Sequence, residues 1–196
     1  MNLPTTEDRD PISIGLSKKS DEDVLSLLLQ RQKDALNATE TAIPEIAKAA
    51  EALQTVTVSG GKIGYAGAGS AGLTALADCL ELPGTFGFPV ERMRMLYAGG
   101  AANLLHLAGR YEDDEEAGFA DFQKSGLGEG DILIAVSASG STPYTLGTFR
   151  GAQAAGTKTV ALANNPDTPL LRQADFPIFL KTPPEIIAGS TRLGAA

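Results

Sequence analysis

Two periodicities divide the chain. From residue 20 to about residue 58 apolar positions recur as on one face of a helix. From residue 62 onward short apolar runs alternate with helical stretches. Ser20, followed by Asp21, Glu22 and Asp23, predicts a helix start, with a capping hydroxyl and acids in the first turn. Val24, Leu25, Leu27, Leu28, Leu29, Ala35 and Leu36 supply its apolar stripe. Pro44, tolerated in a first turn, predicts a second helix through Ile46, Ala49, Ala50 and Leu53, closed by Ser59-Gly60-Gly61. Residues 1–19, broken by Pro4 and Pro11, read as an irregular arm.

The remainder predicts five strands: Lys62–Ala66, Arg92–Tyr97, Asp131–Val136, Thr157–Leu162 and Phe176–Leu180. Helices are expected from Ala71 to about Leu80, around Asn103–Ala108, over Glu115–Lys124 and over Tyr144–Ala155, with a short one starting at Asn164-Asn165-Pro166. Asp131–Val136 is almost continuously apolar, which suits a parallel strand buried on both faces. Alternating strands and helices at this spacing imply a doubly wound parallel α/β sheet. The expected division is an N-terminal arm with helices over 1–59 and a sheet domain over 60–196. No internal repeat or low-complexity segment interrupts it.

Composition narrows the partners. Sixteen Lys and Arg against twenty-four Asp and Glu give a net charge of −8. An acidic chain without a basic block is a poor match for nucleic acid or for an anionic membrane surface. Cys79 has no second cysteine to pair with, and His106 is the sole histidine, so a Cys/His metal site is excluded. The polar, proline-containing start is not a signal peptide, and no apolar run approaches the roughly 20 residues that span a bilayer. Together these features point to the cytoplasm.

Two strand-end loops carry the candidate chemistry. They are Gly67-Ala68-Gly69-Ser70-Ala71-Gly72 and Ser137-Ala138-Ser139-Gly140-Ser141-Thr142-Pro143. Ligands of open parallel sheets sit beyond the carboxyl ends of the strands. Glycines let backbone amides approach a ligand, and the helix that follows each loop attracts an anion with its free amides and dipole. The hydroxyls of Ser137, Ser139 and Thr142 can donate to phosphate oxygens. Neither loop contains a lysine, which argues against a Walker-type nucleotide site. Gly67, Gly69 and Gly72 have dinucleotide-fingerprint spacing, but no acid follows at the strand end where a ribose would need one.

The second loop resembles the phosphosugar signature of sugar-isomerase (SIS) domains. Four segments extend the likeness: Gly67–Ser70 through Glu81-Leu82-Pro83-Gly84-Thr85-Phe86-Gly87, Ala98-Gly99-Gly100 through Glu112-Asp113-Asp114, Ala138–Tyr144, and Gly189-Ser190-Thr191-Arg192. In this order and spacing the chain is similar, over roughly residues 5–193, to N-acetylmuramic acid 6-phosphate etherases and the related glucokinase regulatory proteins. The resemblance implies a five-stranded, flavodoxin-like three-layer sandwich, a 6-phosphosugar ligand, no metal or cofactor, and a homodimer. It further implies a lyase that removes D-lactate from the 3-position of the sugar. Proton abstraction beside a carbonyl and elimination across C2–C3 are followed by addition of water. By resemblance Glu81 protonates the departing oxygen and Glu112 removes the C2 proton, while Gly69, Ser70, Ser137, Ser139, Gly140, Thr142 and Glu185 bind the phosphosugar.

The chain departs from the family where Ser70-Ala71-Gly72-Leu73 stands for Thr-Ser-Gly-Arg and where Ser141 stands for an arginine. A hydroxyl and two cations are thereby lost from the loops. A non-catalytic phosphosugar sensor and an aldose–ketose phosphosugar isomerase are the alternative readings on the same fold.

Overall fold

The computed structural model describes residues 5–189, so Ser190, Thr191 and Arg192 of the last family-like segment lie outside the described residues. Among the described residues three short 3-10 turns and one α-helix, α1 (Asp21–Val58), precede the sheet. There follow β1 (Ile63–Gly67), α2 (Gly69–Phe86), β2 (Met93–Tyr97), the short α3 (Gly100–Asn103), α4 (Glu115–Ser125), β3 (Ile132–Val136), α5 (Pro143–Ala154), β4 (Lys158–Ala163), α6 (Pro169–Gln173) and β5 (Phe176–Phe179). All five strands pair in parallel, in the order β2-β1-β3-β4-β5. The chain runs outward from β1 to β2 and then returns to the other side of β1 with β3. The switch point of this doubly wound sheet therefore lies at the carboxyl ends of β1 and β3.

Side chains alternate across the sheet, as the two-residue strand period requires. Ile63, Tyr65, Ile132, Val160 and Ile178 face one layer, formed by Ala42, Ala49, Ala52 and Val56 of α1 with Ala75 and Cys79 of α2. Ala66, Leu96, Leu133, Ala135, Ala161 and Ala163 face the other, formed by α4, α5 and α6 through Phe122, Phe149, Ala152 and Leu170. Leu133, Phe149 and Leu170 are fully buried, each contributing roughly 1.5–3 kcal/mol. The α4–α5 crossing is close enough that a Cβ at Gly147 would fall 1.9 Å from the Glu115 carbonyl oxygen. Cys79 is a small buried core residue. No helix among the described residues is long and apolar enough to cross a membrane.

Three local expectations need correction. The expected break at Pro44 does not occur; proline lies inside α1. Its missing amide and ring clash cost about 3 kcal/mol in a helix interior, which the sheet packing of Ala42, Ala49, Ala52 and Val56 on both sides of it offsets. The helix expected over Asn103–Ala108 is instead a turn leaving α3. Asn103 Nδ2 donates to the Ala98 carbonyl and its Oδ1 accepts from Ala108 N–H, so one buried side chain closes the turn. The short helix expected at Asn164 begins at Pro169, where Thr168 caps it by accepting from Leu171 N–H. Asn164 and Asn165 are left in the β4 exit turn. Ser20 does cap α1, accepting from Asp23 N–H at 3.2 Å.

Candidate functional site

The exits of β1 and β3 bring the two sequence-predicted loops side by side, because Gly67 and Val136 are register partners. The first loop is shorter than its sequence suggests. Ala68 is already the cap residue of α2 and Gly69 its first residue, so Gly69 and Ser70 sit in the opening helical turn. The second loop ends at Thr142, the cap residue of α5, with Pro143 at the first helical position. Among the described residues neither cap makes a side-chain bond to its own helix, and the opening amides with their dipole favour an anion there.

The second loop gathers its hydroxyls into one cluster. Ser137 Oγ lies 2.8 Å from Thr142 Oγ1 and 3.3 Å from Ser139 Oγ, and Ser139 Oγ lies 3.4 Å from Thr142 Oγ1. Ser141 N–H donates to Ser139 Oγ, and Gly140 N–H donates to Ser137 Oγ and to the Ser137 carbonyl. Gly140 must be glycine: its φ is +67°, and a Cβ would lie 2.3 Å from Thr168 Oγ1.

Glu112 ties the two loops together. Its carbonyl accepts from Tyr144 N–H at 2.9 Å, just beyond the second loop. Its carboxylate rests on the first: a Cβ at Gly69 would lie 2.7 Å from Glu112 Oε1. Tyr97, at the end of β2, donates through its hydroxyl to the Gly69 carbonyl at 3.3 Å and packs its ring against Gly72. Ala68, Ala98 and Tyr144 form a small buried cluster beneath, flanked by Tyr111. Burial and then the charge of Asp113 push the Glu112 carboxyl above the usual carboxylate range. The acidic run therefore does more than start α4: Asp114 caps that helix, accepting from Ala117 N–H, while Glu112 is half-buried two residues earlier.

Glu81 lies apart from this group. It is exposed on α2 and accepts from Thr85 Oγ1 at 3.0 Å. Twelve residues separate it from Gly69 on the same helix, an axial rise of about 18 Å. The apolar context that makes a carboxylate unexpected there in the sequence is not a buried one, since neighbouring Leu80 is 67% exposed. Glu185 is buried, on the segment that follows β5.

Asn165 is a site neighbour that sequence reading assigned to a helix start. Its Nδ2 donates to the Ser139 carbonyl at 3.3 Å. The usable signal was its place directly after β4, the same strand-end rule that finds the two loops. A separate cleft of about 510 Å³ lies between α1 and α2 over the sheet, floored by Ile134, Val136 and Leu162. It holds the Tyr65–Asp78 hydrogen bond and none of the sequence-predicted site residues.

The model of the SIS domain family matches residues 29–164, from within α1 to just past β4. The chain belongs to the SIS-domain family. Its loops at the β1 and β3 exits are therefore those of a SIS domain. The chain is 43% identical over 190 residues to the N-acetylmuramic acid 6-phosphate etherase of Deinococcus radiodurans, an alignment covering 97% of this chain and 62% of that protein. It thus spans less than two thirds of the length of that relative. Among solved structures it is similar to a phosphoheptose isomerase from Neisseria gonorrhoeae, with a TM-score of 0.64, 18% identity, and coverage of 83% of this chain and 85% of that one. It is also similar to the Vibrio vulnificus NanR protein complexed with ManNAc-6P, with a TM-score of 0.61, 19% identity, and coverage of 94% and 58%. These structural likenesses carry the fold.

Proposed function

We propose that this SIS domain binds a 6-phosphosugar at the β1 and β3 exits and acts as an etherase-like lyase on N-acetylmuramic acid 6-phosphate. The observation that carries this reading is Glu112: a half-buried carboxyl with a raised proton affinity, set against the first loop at Gly69 while its backbone carbonyl accepts from Tyr144 N–H just beyond the second. Such a group suits a base working near neutral pH. The Ser137, Ser139 and Thr142 hydroxyls and the opening amides of α2 and α5 bind the phosphate, with Gly69, Ser70, Gly140 and Glu185 completing the ligand shell. Glu112 removes the C2 proton from the carbonyl form of the sugar. The C3–O bond then breaks, the lactyl oxygen takes a proton from Glu81, and water adds across the new double bond to give the 3-hydroxyl sugar and D-lactate.

Both glutamates must reach adjacent carbons, yet about 18 Å of helix rise separates Glu81 from the Gly69 end of α2, where Glu112 sits. We therefore assign the working unit as a homodimer in which Glu81 of one copy serves the loops of the other. Leu29, Leu36 and Ile43 support it: they repeat every seven residues along α1 and are 53%, 69% and 59% exposed, an apolar seam of the kind that pairs helices.

Lactate release from N-acetylmuramic acid 6-phosphate tests this reading. The parent should release lactate, and Glu112→Gln and Glu81→Gln should each abolish it. An equal mixture of the two refolded variants should recover about a quarter of parental turnover, since half of random dimers carry one intact site of two. No recovery would refute the shared site.

The sensor reading is favoured by one feature: Ala71, Leu73 and Ser141 leave both loops without a cation. A protein that releases no lactate but is stabilised against heat by N-acetylmuramic acid 6-phosphate would establish it.

A further inference from the structure

We infer that the N-terminal arm is part of the phosphosugar site and that Asn165 is the positioning residue through which it acts. The inference rests on the phosphosugar reading above. The arm lies before the span that the family model matches, which starts at residue 29. It is nevertheless docked: Thr6, Asp10 and Ser13 are 3%, 0% and 7% exposed. At one end Asp10 accepts from Arg31 of α1 through Nε at 2.5 Å and Nη2 at 3.0 Å, and from Ile12 N–H. At the other end Thr6 meets Asn165.

The Asn165 amide clasps two segments at once. Its Oδ1 accepts from Thr6 N–H at 3.2 Å, and its Nδ2 donates both to Thr6 Oγ1 at 2.9 Å and to the Ser139 carbonyl at 3.3 Å. A peptide unit is planar with its carbonyl and amide opposed, so holding the Ser139 carbonyl also sets the direction of Gly140 N–H. That amide donates into the hydroxyl cluster, to Ser137 Oγ at 3.1 Å. Thr168 closes against Gly140 from the other side. Asn165 is thus the side chain that holds the carbonyl end of the Ser139–Gly140 peptide, whose amide end is held by Ser137. Asn165 is itself buried, so without Thr6 its amide would be left short of partners at a cost of about 1–3 kcal/mol. Docking of the arm and the shape of the second loop are for that reason linked.

The test measures the affinity of the full chain for N-acetylglucosamine 6-phosphate by calorimetry, alongside the unliganded melting temperature. The parent is compared with Thr6→Val, Thr6→Ser, Asn165→Ala and the Thr6→Val/Asn165→Ala double variant. Thr6→Val and Asn165→Ala should each weaken binding by about fivefold, the worth of roughly one hydrogen bond. The double variant should be no weaker than Asn165→Ala alone, because both changes cut one link. Thr6→Ser, which keeps the hydroxyl, should bind as the parent does. A lowered melting temperature with unchanged affinity, or additive losses in the double variant, would overturn the inference while leaving the phosphosugar reading intact. If the parent itself fails to bind the phosphosugar, that reading falls and takes this one with it.

Discussion

Gly69 and Glu112 are in such close approach that a side chain at position 69 would displace the Glu112 carboxylate. A Cβ there would stand 2.7 Å from Glu112 Oε1, and the residue already adopts a left-handed φ of +53°. Backbone strain and a clash with the candidate base coincide at one atom. Gly69→Ala is therefore expected to cost about 1 kcal/mol or more in stability and to swing the carboxylate away. Lactate release should fall well beyond what the unfolded fraction explains. In a Glu112→Gln background the same change should alter activity little further.

The raised proton affinity of Glu112 has a direct consequence for stability. In the folded chain burial and Asp113 disfavour the carboxylate, so the proton is held more tightly than in the unfolded chain. The contribution is fully present below the usual carboxylate range and is lost as pH rises through the raised folded value. Glu112→Gln should accordingly melt higher than the parent at pH 7, and the gap should close by about pH 4. A gap that widens on acidification would contradict this assignment.

Asp10 behaves in the opposite sense. Burial alone would raise its carboxyl, but the hydrogen bond from Arg31, the Ile12 amide and the Arg31 charge outweigh it and hold the group below the usual range. Its contribution is present at neutral pH and fades as pH falls through that lowered value. Arg31→Met would leave a fully buried carboxylate unpaired, and a loss of about 3 kcal/mol is expected. Chemical denaturation at pH 7 and at pH 3 should show most of that loss only at the higher pH.

Gly147→Ala probes the α4–α5 crossing. The added methyl would meet the Glu115 carbonyl oxygen at 1.9 Å and the Phe119 amide nitrogen at 2.9 Å, both backbone atoms that cannot turn aside. A cost on the order of 3 kcal/mol follows from forcing the helices apart. Since α5 opens at the second loop and Tyr144 N–H is bonded to Glu112, phosphosugar affinity should fall together with the melting temperature.

The sequence by itself determined the layers and the direction of the sheet. Short apolar runs between helical stretches can be buried only as parallel strands covered on both faces, and the five strands fall within two residues of their expected ends. It also determined the two loops, because glycine and hydroxyl residues directly after a strand mark where the chain turns into the next helix. Tertiary structure decided what depends on distant partners. Pro44 stays inside α1 because a sheet face lies beneath the helix, which no local rule about proline contains. Glu112 and Glu81 are both glutamates in comparable family-like segments, yet one is drawn against Gly69 and the other is exposed about three turns along α2, a difference set by where β2 and α4 bring the chain back. Asn165 joins Thr6, 159 positions away, to Ser139. A hydrogen bond over that separation costs loop closure that only the completed fold has already met, so no pattern along the chain announces it.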